Sequence, residues 1–537
     1  MGNKSYRKRA SYGLLIGAGL VSLSLTGNAV AAPSGEALVT RKCSVCHAPN
    51  DKGELDRIKD GRRTPEGWDM TVARMGFAHG VRMTQEERAS IVKYLSDNYG
   101  LAPEETEGHR YIIDRTPSVV EHPEHQQIAD TCARCHSYGR IAVQRRTEDD
   151  WRKLVHFHVG QYPAIEIQAG GRDRNWFEIA TGEVSEALGK VYGYQSQAWD
   201  DWQTADRSDV TGRWRVVGNQ PGRGAYQGEA QIEKTGDDRY RIEMTLNYAD
   251  GNTEQASGNA ILYTGHEWRA TVEQGDRKIH QVFNLIDNGS ELTGRWFDAE
   301  ADAVGGTLRA VRADQSASAT VLSVMPAAIK AGTEGQLIIN GVNLSGEVDL
   351  GPALNVTEVV SRSADKIVIG YTAPASIEVG TVAVKVGDAR SDTRLATYRQ
   401  IDYVRVLPEH PLARVGGGGG PLPKVPAQLE AIGYANGPDG QPDTDDDVSL
   451  GAMTADWSLD NLNAIAAEMN DLRYAGEITS SGRFVPNVAG PNPDRKFGTN
   501  NVGELKVTAT VSDGERQVSG STGLVVTVQR FNDPPIR

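Results

Sequence analysis

The sequence predicts a multidomain protein in which an all-α N-terminal domain is followed by three all-β domains. The β domains are predicted to be a small antiparallel barrel and then immunoglobulin-like sandwiches. The length of 537 residues suits about three to five domains. Helical periodicity is confined to the N-terminal part of the chain, and short segments of period 2 begin near residue 210.

The charge balance excludes one class of partner. The chain has 57 Lys and Arg against 71 Asp and Glu, for a formal net charge of −14. Charged residues make up 24 % and hydrophobic residues 39 %, which is typical of a folded protein. Because phosphate binding needs a basic surface, we expect no nucleic acid partner.

The first residues read as a targeting segment. Lys4 and the basic run Arg7–Arg9 precede an apolar run, Leu14–Leu25, and the small residues Ala29–Ala31 follow. This order is typical of a signal peptide over residues 1–31, and the apolar run is too short for a comfortable membrane span. We therefore expect an exported protein without a membrane anchor, located in the periplasm of a Gram-negative cell.

All four cysteines fall in two copies of Cys-x-x-Cys-His, the attachment motif of haem c. Two thiols at this spacing reach the two vinyl groups of one porphyrin, and the adjacent His lies under the iron. Disulfides or a zinc site would leave both histidines unexplained. We therefore predict two covalent haems in a dihaem cytochrome c domain over 32–207. The predicted haem-binding residues are Cys43, Cys46, His47, Cys132, Cys135 and His136.

An internal repeat follows the two motifs. Arg63–Trp68 is matched by Arg146–Trp151, and in the same register Met75 is matched by His158. Each segment predicts a helix entered through a Thr-led turn that could cap it. A Trp and a residue seven positions later share one helix face, so the Trp would pack by the porphyrin while the later residue reaches the iron.

The repeat therefore proposes the sixth iron ligands, Met75 for the first haem and His158 for the second. Other residues compete for these roles. The alternatives are Met70, His79 and Met83 in the first half and His156 in the second. A Met–His haem generally has a higher potential than a bis-His haem, so the two haems should differ in potential.

The region 208–314 predicts a small antiparallel barrel, because alternating segments are separated by turn residues. Its opening signature, Thr211–Trp214, recurs as Thr293–Trp296. A barrel can hold a ligand, but we expect this one to be filled by its own side chains.

Two further β regions follow. Residues 315–410 predict an immunoglobulin-like sandwich, and 411–537 a C-terminal β-sandwich domain. The glycine run Gly416–Gly420 suggests a flexible joint. The acidic segment Asp439–Asp447 resembles a calcium loop, but Leu450 stands where the Glu of the familiar site is needed. A solvated acidic turn is the favoured interpretation.

The two haem motifs, the repeat from Trp to Met or His, and the three following β domains together resemble the α subunit of quinohemoprotein amine dehydrogenase. This resemblance covers essentially the mature chain and implies a periplasmic αβγ heterotrimer. It implies that a γ subunit carries a tryptophan-derived quinone cofactor, performs the amine chemistry, and is accompanied by a β subunit that is a propeller. The α subunit would pass electrons from the quinone to a small copper protein or cytochrome c. Met75 and His158 come from the repeat and not from the resemblance.

No catalytic base, nucleophile or substrate pocket is visible beyond the haem motifs, so we predict no catalytic residue on this chain. The alternative is a dihaem cytochrome c peroxidase-like enzyme, which needs one iron with an open or displaceable sixth position. A third possibility is a surface protein whose β modules bind a partner while the haems merely conduct.

Overall fold

The structure is a computed structural model that describes residues 33–116, 119–167, 173–314, 317–420 and 422–528. The predicted signal peptide, 1–31, lies outside these residues. The N-terminal region is mainly helical, as predicted, and includes a 3-10 turn at Glu107–His109 and a π turn at Ala180–Val184. Its helices are α1 (Gly35–Cys43), α2 (Pro65–His79), α3 (Gln85–Asn98), α4 (Pro103–Thr106), α5 (Arg110–Ile113), α6 (Gln126–Cys132), α7 (Gly139–Ala142), α8 (Glu148–Gln161), α9 (Trp176–Ile179), α10 (Ser185–Val191) and α11 (Gln197–Thr204).

The N-terminal domain is not purely helical, which corrects the all-α prediction. Strand β1 (Gly61–Arg63) pairs antiparallel with β2 (Gln144–Arg146). Strands of three residues are too short to leave a period-2 pattern, so they could not be predicted from the sequence. Arg62 lies opposite Arg145, its equivalent in the repeat. The ladder therefore has a local twofold axis that relates the two halves of the domain.

The described segment 173–314 contains a closed antiparallel barrel of eight strands, which confirms the barrel prediction. Its interior is filled by aromatic and aliphatic side chains, including the fully buried Trp214 and Trp268. A cavity of about 10 Å³ lies near Met244 and Trp296, which is room for about one water molecule. The strands are β3 (Gly212–Gln220), β4 (Gly224–Gly236), β5 (Arg239–Tyr248), β6 (Thr253–Tyr263), β7 (Glu267–Gln274), β8 (Arg277–Ile286), β9 (Glu291–Asp298) and β10 (Ala301–Arg312).

The barrel is joined to the helical domain by ion pairs, one of which has a buried carboxylate. Arg269 on β7 contacts Glu66 in the first turn of α2, with Nε and Oε1 2.5 Å apart. Arg110 of α5 contacts Glu267, which is 2 % exposed, at 2.8 Å. Burial alone would raise the pKa of Glu267, but Arg110 and Arg269 outweigh it and hold the pKa well below its usual range.

The third region consists of two main sheets over one core. One sheet has the strand order β11-β13-β16-β15 and the other β12-β19-β17, with β14 and β18 as an extra pair. Both contribute to a single cluster of buried aliphatic residues. The immunoglobulin-like assignment stays a prediction. The strands are β11 (Thr320–Met325), β12 (Ala328–Lys330), β13 (Glu334–Val342), β14 (Val348–Asp349), β15 (Asn355–Arg362), β16 (Lys366–Thr372), β17 (Gly380–Ala383), β18 (Lys385–Val386) and β19 (Arg394–Tyr398).

The last region again stacks small sheets around one core and adds the helices α12 (Ala464–Glu468) and α13 (Asp471–Tyr474), so it is not purely β. Its strands are β20 (Tyr403–Leu407), β21 (Leu412–Arg414), β22 (Ala427–Gln428), β23 (Glu430–Ala435), β24 (Val448–Met453), β25 (Asp456–Asn461), β26 (Gly476–Ile478), β27 (Arg483–Pro486), β28 (Gly503–Asp513) and β29 (Arg516–Thr527).

Two details of this region differ from expectation. Strand β20 pairs with β23, so it belongs to the last domain although it precedes the predicted boundary at 410. Gly416–Gly420 does not join two domains, because Gly416 accepts a hydrogen bond from the Ala489 amide within the last domain. Positive φ angles at Gly417 and Gly419 form a tight turn there.

Among the described residues, no helix has both the length and the apolar character needed to cross a bilayer.

Candidate dihaem site

The first haem motif begins at the C-terminal end of α1. The amides of Cys46 and His47 both donate to the Cys43 carbonyl, at 3.1 and 2.9 Å, so the motif folds into a tight turn. Cys43 is half-buried against the core cluster that contains Trp68, whereas Cys46 is exposed. The turn therefore brings two unpaired thiols and an imidazole together, as attachment of haem c requires.

The second haem motif begins at the C-terminal end of α6. Cys132 is half-buried against a separate core cluster, which includes Trp151 and Tyr138, and Cys135 is exposed. Burial raises the pKa of Cys132 to about 12. Within the described ranges, none of the four cysteines forms a disulfide.

The imidazoles of both motifs are oriented by backbone carbonyls. His47 Nδ1 lies 2.9 Å from the Asp56 carbonyl oxygen, and His136 Nδ1 lies 3.0 Å from that of Ser137. A carbonyl accepts only, so Nδ1 carries the proton and Nε2 has the lone pair. This is the tautomer that an iron ligand needs, and the hydrogen bond from Nδ1 to the carbonyl fixes the ring orientation.

The two helices predicted by the repeat are present and longer than expected, α2 against Trp68–Gly76 and α8 against Trp151–Val159. The predicted Thr caps are confirmed: Thr64 accepts from the Gly67 amide at 3.2 Å and Thr147 from the Asp150 amide at 3.1 Å.

The tryptophans of the repeat occupy matching environments. Trp68 and Trp151 are 1 % and 3 % exposed. Their indole N–H groups donate to the carbonyls of Tyr99 and Tyr192, at 2.8 and 3.1 Å. Each indole therefore anchors its helix to the core of its own half of the domain.

The candidate sixth ligands of the first half differ in their surroundings. Met75 is half-buried on α2 and lies outside the packed core cluster, whereas Met83 packs against that cluster. His79 is exposed at the end of α2, and Met70 Sδ lies 3.8 Å from the Arg140 guanidinium. Met75 therefore stays the prediction for this ligand.

In the second half, His158 and His156 are clearly distinguished. His158 is half-buried, and its Nδ1 lies 2.7 Å from the Leu154 carbonyl, which directs Nε2 away from the helix. Burial lowers the pKa of His158, so the imidazole is neutral at pH 7, as a ligand must be. His156 is exposed and its ring packs edge-on against Phe177 at 5.1 Å. These contacts favour His158.

Sequence reasoning missed the charged network at the axis between the two halves. Arg62 is fully buried and forms two hydrogen bonds to Glu105, at 2.7 and 2.9 Å. Arg145 Nε lies 3.1 Å from the same carboxylate. The signal was present, since Arg-Arg-Thr occurs at both 62–64 and 145–147.

The helices that carry the predicted ligands also meet at this axis. Arg74 of α2 lies over the ring of Phe157 on α8, with Cζ 4.8 Å from the ring centroid. These residues precede Met75 and His158 and are equivalent in the repeat. The two candidate haem sites are therefore adjacent parts of one domain.

The acidic segment Asp439–Asp447 is held by protein donors. Arg405 contacts Asp443 at 2.5 Å, and the Tyr403 hydroxyl donates to Asp447 at 2.7 Å. Over the residues that the structure covers, no group of three or more His, Cys, Asp or Glu side chains is arranged to hold a metal ion. These contacts support the acidic-turn interpretation.

Comparison with solved structures gives only weak similarities. A redesigned β-barrel is 13 % identical, with 20 % of this chain and 92 % of that chain covered and a TM-score of 0.18. The Bacteroides ovatus protein SGBP-B is 10 % identical, with coverages of 41 % and 51 % and a TM-score of 0.18. The Escherichia coli adhesin FdeC is 14 % identical, with coverages of 60 % and 99 % and a TM-score of 0.14. The search of curated proteins returned no match.

Four family models match consecutive parts of the chain. The model for the haem-binding domain of the quinohemoprotein amine dehydrogenase alpha subunit matches residues 33–199. The models for domains II, III and IV of the same subunit match 207–313, 318–399 and 404–536. The chain therefore belongs to the alpha-subunit family of quinohemoprotein amine dehydrogenase.

Proposed function

We propose that this chain is the dihaem electron-transfer subunit of a periplasmic quinohemoprotein amine dehydrogenase. In this role it takes electrons from a quinone cofactor on a partner subunit and passes them to a small copper protein or cytochrome c. Two covalently bound haems supply the one-electron chemistry, and Cys43, Cys46, Cys132 and Cys135 hold them. His47 and His136 are the proximal ligands, and Met75 and His158 the distal ligands.

The observation that carries this proposal is the pair of matched sites in one domain. Each half supplies two thiols, an imidazole whose Nδ1 is hydrogen-bonded to a carbonyl, and a capped helix with the predicted distal ligand. The ladder between β1 and β2 and the contact of Arg74 with Phe157 join the halves directly. Electron exchange between the two sites would therefore need no domain movement.

The amine chemistry is assigned to other subunits, a γ subunit with the quinone and a β subunit that is a propeller. The three β domains of this chain would then supply surface for assembly. Export through the signal peptide 1–31 would place the complex in the periplasm, where haem c attachment and an external electron acceptor are both available.

The proposal is tested by purifying the full chain from its native host under conditions that preserve complexes. We expect two haems per chain, co-purifying smaller subunits, and amine-dependent haem reduction only when those subunits are present. Recovery as a lone monomer, or amine oxidation by this chain alone, would contradict the proposal.

The peroxidase alternative needs an iron with a displaceable sixth ligand. The hydrogen bond that orients His158 supports a filled position instead. The ferric spectrum separates the two functions, since a stable high-spin haem with peroxide turnover would favour the peroxidase.

A further inference from the structure

A buried arginine of the first half has no acidic partner. Arg63 is 7 % exposed, and its guanidinium lies over the Trp68 ring, with Cζ 4.4 Å from the ring centroid. Among the described residues, its side chain has neither a hydrogen bond nor a carboxylate within ion-pair distance. Burying an unpaired charge is costly, so a counter-charge is expected to come from outside the polypeptide.

The equivalent residue of the second half is neutralised. Arg146 lies over the Trp151 ring at 5.4 Å and forms an ion pair with Asp150, which is 2 % exposed. In the repeat, the position of Asp150 is taken by Gly67. A Cβ at Gly67 would lie 2.9 Å from Arg63 Cβ, so a carboxylate does not fit there without movement.

The surroundings of Arg63 are strongly positive. Burial lowers the pKa of Arg63 and the neighbouring Arg146 guanidinium lowers it further, although Asp150 acts in the opposite direction. Arginine is so basic that it keeps its charge under these conditions. Arg74 adds another half-buried guanidinium to this set. The first half of the domain therefore offers unbalanced positive charge beside Trp68.

The ligand that matches this site is a carboxylate of the haem itself. Arg63 lies over Trp68, and Trp68 belongs to the core cluster against which Cys43 packs, so Arg63 and the attachment point of the first haem border the same core. The planar guanidinium suits carboxylates, because it can donate two parallel hydrogen bonds to one group. We propose that Arg63 binds a propionate of the first haem and thereby raises the potential of that haem; this rests on the proposed function.

The direction of the effect follows from charge. A propionate paired with Arg63 exerts less negative field on the iron, which favours the ferrous state. In the second half, Asp150 offsets the charge of Arg146. Arg146 should therefore change the potential of the second haem less than Arg63 changes that of the first. Arg63 is a positioning residue in this proposal, since it acts on the iron through the propionate.

The test is a spectroelectrochemical titration of the full, haem-loaded chain with Arg63→Met. We expect the potential of the first haem to fall by about 59 mV, which corresponds to a tenfold change in the equilibrium constant of a one-electron couple. The potential of the second haem should change by less than about 28 mV, which corresponds to a threefold change in the equilibrium constant. The matched control is Arg152→Met, which removes a half-buried arginine of α8 that is paired with Glu148 and should change neither potential. Unchanged potentials with two haems bound, or a fall at the second haem instead, would overturn the proposal.

If Arg63→Met does not mature, Arg63→Lys retains the charge but not the forked geometry. We expect the potential of its first haem to stay within about 28 mV of the wild-type value, which is a threefold change in the equilibrium constant. Its propionate bending bands in resonance Raman spectra should shift, and unchanged bands would argue against a direct contact. A haem content of two per chain in these variants would leave the proposed function intact even if this inference failed.

Discussion

The two halves of the haem domain share a framework and differ in their charged side chains. Both use a Thr-capped helix, an indole anchored to a carbonyl and an arginine over that indole. Two of the positions at which they differ bear on the haems, with Met75 against His158 and Gly67 against Asp150. If the proposed function is right, one backbone framework would hold two haems whose potentials differ through the side chains at these positions.

The two halves also differ in their contacts with the barrel. The barrel contacts the first half through Glu66 and Arg269, and through the bond of the Thr264 amide to Asp97 at 2.8 Å. The second half contacts the barrel through Trp202 of α11, whose indole donates to the Thr264 carbonyl at 2.8 Å, and through the apolar contact of Val143 with Val282 and Phe297; neither contact involves its ligand helix α8. The first haem site should therefore depend more strongly on the barrel than the second.

The largest expected effect comes from removing one attachment site. Replacing Cys132 and Cys135 by Ser should leave one haem per chain, bound by the first half, because the thioethers of the second half cannot form. Pyridine haemochrome absorbance per chain measures this. The matched variant at Cys43 and Cys46 should also leave one haem, and the two variants should retain different ligand spectra. Identical spectra would contradict the predicted difference between the halves.

Exchanging the distal ligand should have the next largest effect. In Met75→His the potential of the first haem should fall by roughly 0.1–0.3 V, a fraction of the about 0.8 V that axial ligands control. The magnetic circular dichroism of the ferric protein should lose its Met-type band. Met83→Ala is the control and should keep the band. Survival of the band in Met75→His would mean that the ligand assignment from the repeat is wrong.

Removing an ion pair between the barrel and the helical domain tests whether the first half depends more strongly on the barrel. Glu267→Gln removes the buried carboxylate that Arg110 and Arg269 share, while Asp114 and Glu66 still pair with them, and should destabilise the protein by about 3 kcal/mol. Because the pKa of Glu267 is depressed, its stabilisation is present above the unfolded pKa of about 4.3 and is lost as the pH falls through the folded value.

Thermal unfolding followed at several pH values measures this loss. The variant should lack the acid-dependent decrease that Glu267 causes in the wild type. If haem release on heating is followed separately, the first haem should be lost earlier in the variant. Equally early release of both haems in the variant would contradict a stronger dependence of the first half on the barrel.

The smallest expected effects should be equal in the two halves. Thr64→Ala and Thr147→Ala each remove the cap of a ligand helix and should each cost about 1 kcal/mol of unfolding free energy. Denaturant titration measures both. A much larger cost for one variant would show that the shared framework is not equivalent in its two copies.

The helical haem domain and the β domains could be predicted from the sequence because their signals are local. The haem motifs, the Thr caps and the alternating strands each lie within a few residues of one another. The ladder from Arg62 to Arg145 and the pairing with Glu105 could not be predicted, since they join residues that are distant in sequence. The misplaced joint at Gly416–Gly420 has a related cause, because glycine composition indicates a turn but not which strands it connects.

The antiparallel ladder between β1 and β2 has a consequence for how the domain can be divided. In the part of the chain that the structure describes, each of these strands pairs with the other in a two-stranded sheet, across an axis that passes between Arg62 and Arg145. A fragment that carried a single haem motif would expose this edge together with a buried arginine. Such a fragment would complete itself most readily by pairing with a second copy, so a one-haem version of this domain should be a symmetric dimer.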